Sequence, residues 1–317
     1  MCGIIVTYGD TPTPRVGTLK HRGPDGFRIE TLGKCQMEFV RLAINDTSDD
    51  GMQPFRRSDE MLVCNGEIYN HREFETGKEQ SGSDCECLLG LLKQHGINDT
   101  CNMIRGVFAF AWTDGDHLLV ARDPIGVRPL FYTRTAEGTM VFASEMKVLP
   151  GRTEIFPPGH FYDSRLDDFV CYHNLYWSVV PMAKDSSEWA IQKRFEESVA
   201  RRITNTDREV GFLLSGGLDS SLVAAVAKKL GVTNMKTFSI GQADSPDILA
   251  ARKVAKFLGS DHHEVIFDFE EGVRVIPDVI KSLESYDTTT VRASTPMWLL
   301  CKWISKNTDC KVILSGE

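Results

Sequence analysis

A chain of 317 residues is long enough for two domains. Its 42% hydrophobic and 25% charged residues are ordinary for a globular protein, and a net charge of −8 argues against nucleic acid or an anionic membrane surface as main partner. No apolar run approaches a membrane span, and the start M-C-G-I-I-V-T-Y-G-D has neither the basic region nor the cleavage site of a signal peptide. The nine scattered cysteines are therefore expected to be reduced thiols in a cytoplasmic protein, and Cys85 and Cys87 alone make no zinc site.

After Met1 come Cys2-Gly3 and the apolar run Ile4-Ile5-Val6. Removal of Met1 would leave the α-amino group of Cys2 beside its own thiol. An amine of pKa about 8 is matched to a thiol of similar pKa, so one residue would supply nucleophile and base. His21-Arg22-Gly23-Pro24-Asp25-Gly26 is a polar turn between apolar segments. Arg41-Leu42-Ala43-Ile44-Asn45 puts a guanidinium at a strand edge, suited to a carboxylate ligand or to a surface ion pair. Asn65-Gly66-Glu67-Ile68-Tyr69-Asn70 follows an expected strand, Met61–Cys64. An amide side chain followed by a glycine N–H provides the parts of an oxyanion hole, or of a type I′ hairpin turn. Ser81-Gly82-Ser83-Asp84-Cys85-Glu86 precedes a helical run, Leu88–Leu92, with Asp84 either at a helix start or gripping an ammonium group. Further strands are expected at 107–112, 118–122, 141–145 and 160–162. R-D-P-I-G-V-R-P-L-F-Y (122–132) and A-S-E-M-K (143–147) read as mainly structural turns and core strands.

In this order, Cys2-Gly3, H-R-G-P-D, R-L-A-I, N-G-E-I-Y-N and S-G-S-D-C-E resemble the glutaminase domain of class II glutamine amidotransferases. The resemblance implies an α+β N-terminal-nucleophile hydrolase fold, an αββα sandwich, over residues 2–184. It implies Cys2 as nucleophile, Asn65 and Gly66 as oxyanion hole, and Arg41, with Leu42, Ala43, Ile44 and Asn45, at the glutamine α-carboxylate. Asp84, with Glu67, would bind the α-amino group. The products would be ammonia and a Cys2 thioester that hydrolyses to glutamate.

A linker is expected near 178–187, with Ser186 or Ser187 capping the next helix. The second half turns on V-G-F-L-L-S-G-G-L-D-S-S-L (210–222): an apolar strand, a Gly-rich turn and a helix start. Free N–H groups and the positive end of the helix dipole make this an anion cradle. It lacks the G-K-[ST] of the Lys-bearing P-loop. Asp219 inside the cradle would repel phosphates unless a cation lay between, which points to Mg²⁺. Strands at 236–240, 264–267 and Lys311–Leu314 alternate with helices at 247–258, 270–285 and about 295–306, an α/β pattern with a parallel sheet. His262-His263 reads as a strand start rather than a metal pair. Three strand ends carry polar loops, Leu214-Ser215-Gly216-Gly217, Ile240-Gly241 and Leu314-Ser315-Gly316-Glu317, and a single ATP would span them.

S-G-G-x-D-S resembles the pyrophosphate loop of ATP pyrophosphatases. Y-D-x-T-T-x-R-A-S, at 286–294, is similar to the aspartate-handling segment of glutamine-hydrolysing asparagine synthetases. The resemblance implies an ATP-pyrophosphatase-type domain over 185–317, incomplete at its C-terminus, because the family continues past S-G-E with G-x-D-E and a long helical portion. ATP would be held by Leu214, Ser215, Gly216, Gly217, Asp219, Ser220, Ser221, Ile240, Ser315 and Gly316, with Mg²⁺ at Asp219. Thr289, Thr290 and Arg292 would bind aspartate, and Glu317 would act at the carboxylate being adenylated. The expected function is conversion of aspartate to asparagine through β-aspartyl-AMP, driven by ATP and fed by ammonia from glutamine. The alternatives are a glutaminase-only protein or a non-catalytic subunit, and a homodimer or a separate completing chain is the expected assembly.

Overall fold

The computed structural model describes residues 1–10, 17–74, 79–174 and 187–316. The chain divides into two compact units, Met1–Pro181 and Met182–Glu317. The expected domain boundary at 184/185, most of the expected linker and Ser186 lie outside the described residues.

In chain order the first unit contains β1 (Gly3–Tyr8), β2 (Gly26–Leu32), β3 (Cys35–Arg41), β4 (Phe55–Arg57), β5 (Glu60–Ile68) and α1 (Cys87–Met103). There follow β6 (Gly106–Thr113), β7 (Leu118–Arg122), β8 (Phe131–Arg134), β9 (Met140–Ala143), β10 (Glu154–Ile155), β11 (His160–Asp163) and β12 (Asp168–Cys171). They build two six-stranded antiparallel sheets, ordered β10-β8-β9-β1-β3-β2 and β12-β11-β7-β6-β5-β4. Side chains alternate between the faces of a strand. Ile4 and Val6 therefore meet Met61, Val63, Ala109, Ala111 and Val120 in a core between the sheets. The opposite parity of β5, with Leu62, Cys64 and Ile68, packs on Leu88, Leu89, Leu91 and Leu92 of α1. Leu19, Val148 and Leu149 cover the outer face of the first sheet over Val40, Val141 and Ala143. Each large side chain fully buried in this way contributes about 1.5–3 kcal/mol. α1 is broken at Gly96, whose φ is 73°.

One expected loop is a strand. β5 continues through Ile68, with Asn65 opposite Ala109, Gly66 opposite Phe108 and Glu67 opposite Val107, which excludes a hairpin turn there. Asn and Gly are poor strand formers, but pairing along the whole of β6 overrides that preference.

The second unit contains α2 (Glu188–Thr204), β13 (Val210–Leu213), α3 (Leu218–Lys229), β14 (Lys236–Gly241), α4 (Pro246–Leu258), β15 (Asp261–Ile266), α5 (Phe269–Leu283), α6 (Thr288–Asn307) and β16 (Val312–Leu314). Its strands form a parallel sheet ordered β15-β14-β13-β16. Phe212 and Leu214 pack with Val199, Val223, Ala224, Ala251 and Ala255 of α2, α3 and α4 on one face. Phe238 packs with Leu300 and Ile304 of α6 on the other. Ser187 caps α2 by accepting the Ala190 N–H at 3.2 Å. His262 and His263 both lie within β15. α6 starts at Thr288 rather than near 295: Asp287 accepts both the N–H and the hydroxyl of Thr290 at 2.7 Å, and this cap carries the helix through Pro296.

Candidate active sites

In the first unit, β1 is an interior strand between β9 and β3, and Cys2 immediately precedes it against the inter-sheet core. The Leu42 N–H points at the Cys2 Sγ at 3.4 Å. Arg22 donates its Nε to the Cys2 carbonyl at 2.9 Å and its Nη1 to Glu145 at 3.0 Å. Glu145 also takes Nε2 of His21 and Nζ of Lys147, each at 2.9 Å. Burial pushes the Cys2 thiol up, while the Leu42 N–H, the chain-terminal amine and Arg128 pull it back. The amine, here on Met1, is held down to about 6, first by burial and then by Arg22 and Arg128 against the opposing pull of Cys2 and Glu67.

Asn65 sits on the inter-sheet side of β5, across from core residue Ala109. It is 1% exposed, and its Nδ2 has no partner. Arg22 Nη2, Asn45 Nδ2 and Arg128 Nε are likewise buried and unpaired. All four are donors. An unsatisfied buried donor costs about 1–3 kcal/mol, so buried donors left open in this unit are suited to a ligand rich in acceptors.

The other expected residues are held by local bonds. Arg41 ends β3, and its Nη1 and Nη2 donate to the Ser48 and Asp46 carbonyls, holding the loop that carries Leu42, Ala43, Ile44 and Asn45. The Ala43 N–H bonds Asp25 at 2.9 Å. Asp84 is buried and accepts the Ile68 N–H at 2.8 Å, tying the 81–86 loop to the end of β5 just past Gly66 and Glu67.

Sequence reasoning missed Arg22, Glu145 and Arg128 as parts of this centre. The stretch R-D-P-I-G-V-R, read as structural, wraps around the Asp123 carboxylate. Oδ1 accepts the N–H groups of Ile125, Gly126 and Val127, and Oδ2 accepts those of Phe108 and Arg128. Arg122 donates to the carbonyls of Arg128, Phe156 and Gly126 at 2.7, 2.7 and 2.8 Å. The loop so fixed lays Arg128 Nη2 on Glu67 at 2.7 Å and Nη1 on the Met1 sulfur. The only local signal was three charged residues clustered after an apolar strand.

In the second unit, Leu214 follows β13, and its N–H bonds the Phe238 carbonyl of β14 at 2.8 Å. Gly216 has a φ of +80°, and a Cβ there would lie 2.5 Å from the backbone of Ala250 and Ala251, so only glycine fits against α4. Ser215 and Ser220 share a hydroxyl contact of 3.0 Å, and the Gly217 N–H points at Ser215 Oγ at 3.3 Å. No side chain caps α3. Its first-turn N–H groups are thus left for solvent or a ligand. A Cβ on Gly316 would lie 2.4 Å from the Ser220 nitrogen, so the loop after β16, with Ser315, presses on the start of α3. Ile240 is the penultimate residue of the adjacent strand, β14. The three expected strand ends therefore meet along one rim.

Ser221 Oγ is buried without a partner, and Asp219 is exposed in the first turn of α3. Among the described residues no group of three acidic, His or Cys side chains is placed to cage a metal. A single carboxylate fits Mg²⁺ held mainly through phosphate oxygens. Thr289, Thr290 and Arg292 lie exposed at the start of α6, with Thr290 engaged in its cap. Glu317 lies outside the described residues.

Residues 1–170 match the family described as "Glutamine amidotransferase domain", and residues 190–317 match "Asparagine synthase". The whole chain is 40% identical to the glutamine-hydrolysing asparagine synthetase of Sandersonia aurantiaca and 41% identical to that of Cricetulus griseus, spanning 65% of each. A probable asparagine synthetase of Acanthamoeba polyphaga mimivirus is 39% identical, with 66% of it spanned. Among solved structures, glutamine phosphoribosylpyrophosphate amidotransferase from B. subtilis matches 85% of this chain and 91% of its own at a TM-score of 0.50 and 15% identity, a likeness of fold. The chain thus spans about two thirds of the length of its curated relatives. It belongs to the glutamine amidotransferase family, with an asparagine synthase domain following the amidotransferase domain.

Proposed function

We propose that the chain releases ammonia from glutamine at Cys2 and uses it to convert aspartate to asparagine at the expense of ATP. The observation that carries the first half is the set of buried, unpaired donors in the unit that holds Cys2: Asn65 Nδ2, Asn45 Nδ2, Arg22 Nη2 and Arg128 Nε. With Met1 removed, the Cys2 amine takes the thiol proton as sulfur attacks the glutamine carboxamide. Asn65, with the Gly66 backbone, meets the developing oxyanion. The carboxylate of glutamine lies toward the 41–45 loop and its ammonium toward Asp84 and Glu67. Ammonia departs, and water releases glutamate from the thioester.

In the second unit, the uncapped start of α3 and the Ser215–Ser221 loop receive the pyrophosphate portion of ATP. Leu214, Ile240 and Gly316 border its adenosine, and Thr289, Thr290 and Arg292 receive aspartate. Asp219 would hold Mg²⁺, which supplies charge neutralisation at the phosphates. The aspartate β-carboxylate displaces pyrophosphate from the α-phosphorus, with Glu317 acting at that carboxylate. Ammonia then attacks the acyl-adenylate, giving asparagine and AMP. The reaction is placed in the cytoplasm, in a homodimer or with a completing chain.

The test compares Cys2→Ala with the parent chain. Glutamine-dependent asparagine formation is expected to vanish while formation from added ammonium persists. Continued use of glutamine would refute the nucleophile. Absence of aspartate-dependent pyrophosphate release in the parent would refute the second half and leave a glutaminase.

A further inference from the structure

The clamp on residues 122–128 is more elaborate than a surface turn needs. The peptide of Arg128 is held from both sides, its N–H on the Asp123 carboxylate at 2.9 Å and its carbonyl on the Arg122 Nε at 2.7 Å. Arg128, so anchored, is 8% exposed, and its guanidinium pairs with Glu67 at 2.7 Å and touches Met1. Its Nε is buried without a partner. A rigid cation costs desolvation energy, and it stands where the chain begins.

We infer that Arg128 is a positioning residue of the glutaminase centre, fixing Glu67 and holding a permanent positive charge beside the amine that Cys2 bears once Met1 is gone. This rests on the glutaminase reading of Cys2. A general base must be unprotonated, and a neighbouring cation favours the neutral amine. The groups facing the chain start are the Cys2 thiol, Arg22 from the loop before β2, Glu67 from β5 and Arg128 from the loop after β7. Glu145, His21 and Lys147 act there through Arg22. Arg22 is bound to Glu145, whose carboxylate offsets its charge, and Arg128 to Glu67. Arg128 alone is braced by two further side chains through its backbone.

The experiment uses the full chain with Met1 removal verified by intact mass, and records kcat/KM for glutamate release across about pH 5 to 9. Arg128→Met removes charge and hydrogen bonds. Arg128→Gln keeps a donor to Glu67 without charge, and Arg128→Lys keeps charge. The acidic limb is expected to move up by about one pH unit in both uncharged variants and to return in Arg128→Lys. Should Arg128→Met fail to fold by thermal unfolding, Arg128→Gln carries the test, together with the pH midpoint of Cys2 alkylation by iodoacetamide, which should also rise. A uniform loss of rate with an unmoved limb would reduce Arg128 to a brace and overturn the inference, as would unchanged kinetics. A parent chain that folds, has lost Met1 and releases no glutamate overturns the glutaminase reading beneath it.

Discussion

Replacing Asp123 with asparagine is the sharpest test of how the first unit holds its centre. The change is isosteric, so no cavity opens. It replaces a carboxylate with two acceptor oxygens by an amide with one. The Oδ1 side now receives three N–H groups and the Oδ2 side two. The amide oxygen would face the larger set, leaving the N–H groups of Phe108 and Arg128 opposed by an NH₂. Each orphaned buried donor costs about 1–3 kcal/mol, so the loss is centred near ~4 kcal/mol. In a unit of this size 1 kcal/mol moves the melting temperature by about 2–4 °C, giving a fall of about 8–16 °C. Calorimetry on the full chain would read it, and glutaminase kinetics on the folded variant should show weakened turnover as Arg128 loosens. A melting shift under about 2 °C with unchanged kinetics would refute the view that this carboxylate organises the loop.

Two further outcomes follow from the same geometry. Gly216→Ala forces a side chain into positive φ and against the backbone of α4, at a cost of about 1–3 kcal/mol before the clash is counted; titration calorimetry should show ATP binding weakened at least about tenfold. Burial alone would raise the Glu145 carboxyl, yet Lys147, His21 and Arg22 hold it below its ordinary 4.5. Its stabilising share is therefore present above that value and lost as pH falls through the lower folded one. Glu145→Gln should melt earlier than the parent at neutral pH and converge with it in acid, as seen in melting curves across that range.

Much of the fold was legible because its signals are local. The apolar runs of β1, β6 and β7, the alternation in the second unit and the Ser-Gly-Gly turn announce themselves within a few residues. Two boundaries misled for the opposite reason. Asn65 and Gly66 read as a loop, with a hairpin turn as one alternative, until β6 pairs with them, and T-T-T-V-R-A-S reads as loop until Asp287 caps it as helix. The centre around Cys2 was half legible. Cys2 and Asp84 lie in recognisable loops, and Asn65 in a short motif that the sequence shows on its own even though it sits inside β5. Arg22 meets Glu145 across 123 positions and Arg128 meets Glu67 across 61, and nothing in a local window reports such pairs.

The interior place of β1 also sets a timetable. Its neighbour β3 is made soon after it, but Ile5–Tyr8 pair with Met140–Ala143 on the other side. At about 5–20 residues per second, a ribosome takes roughly 7–27 s to add the intervening 135 or so residues. Throughout that interval the Ile5–Tyr8 flank of β1 stays open. Once β9 is added, Ile5–Tyr8 are closed in between two strands, and a strand that was an edge for most of the unit's synthesis becomes interior.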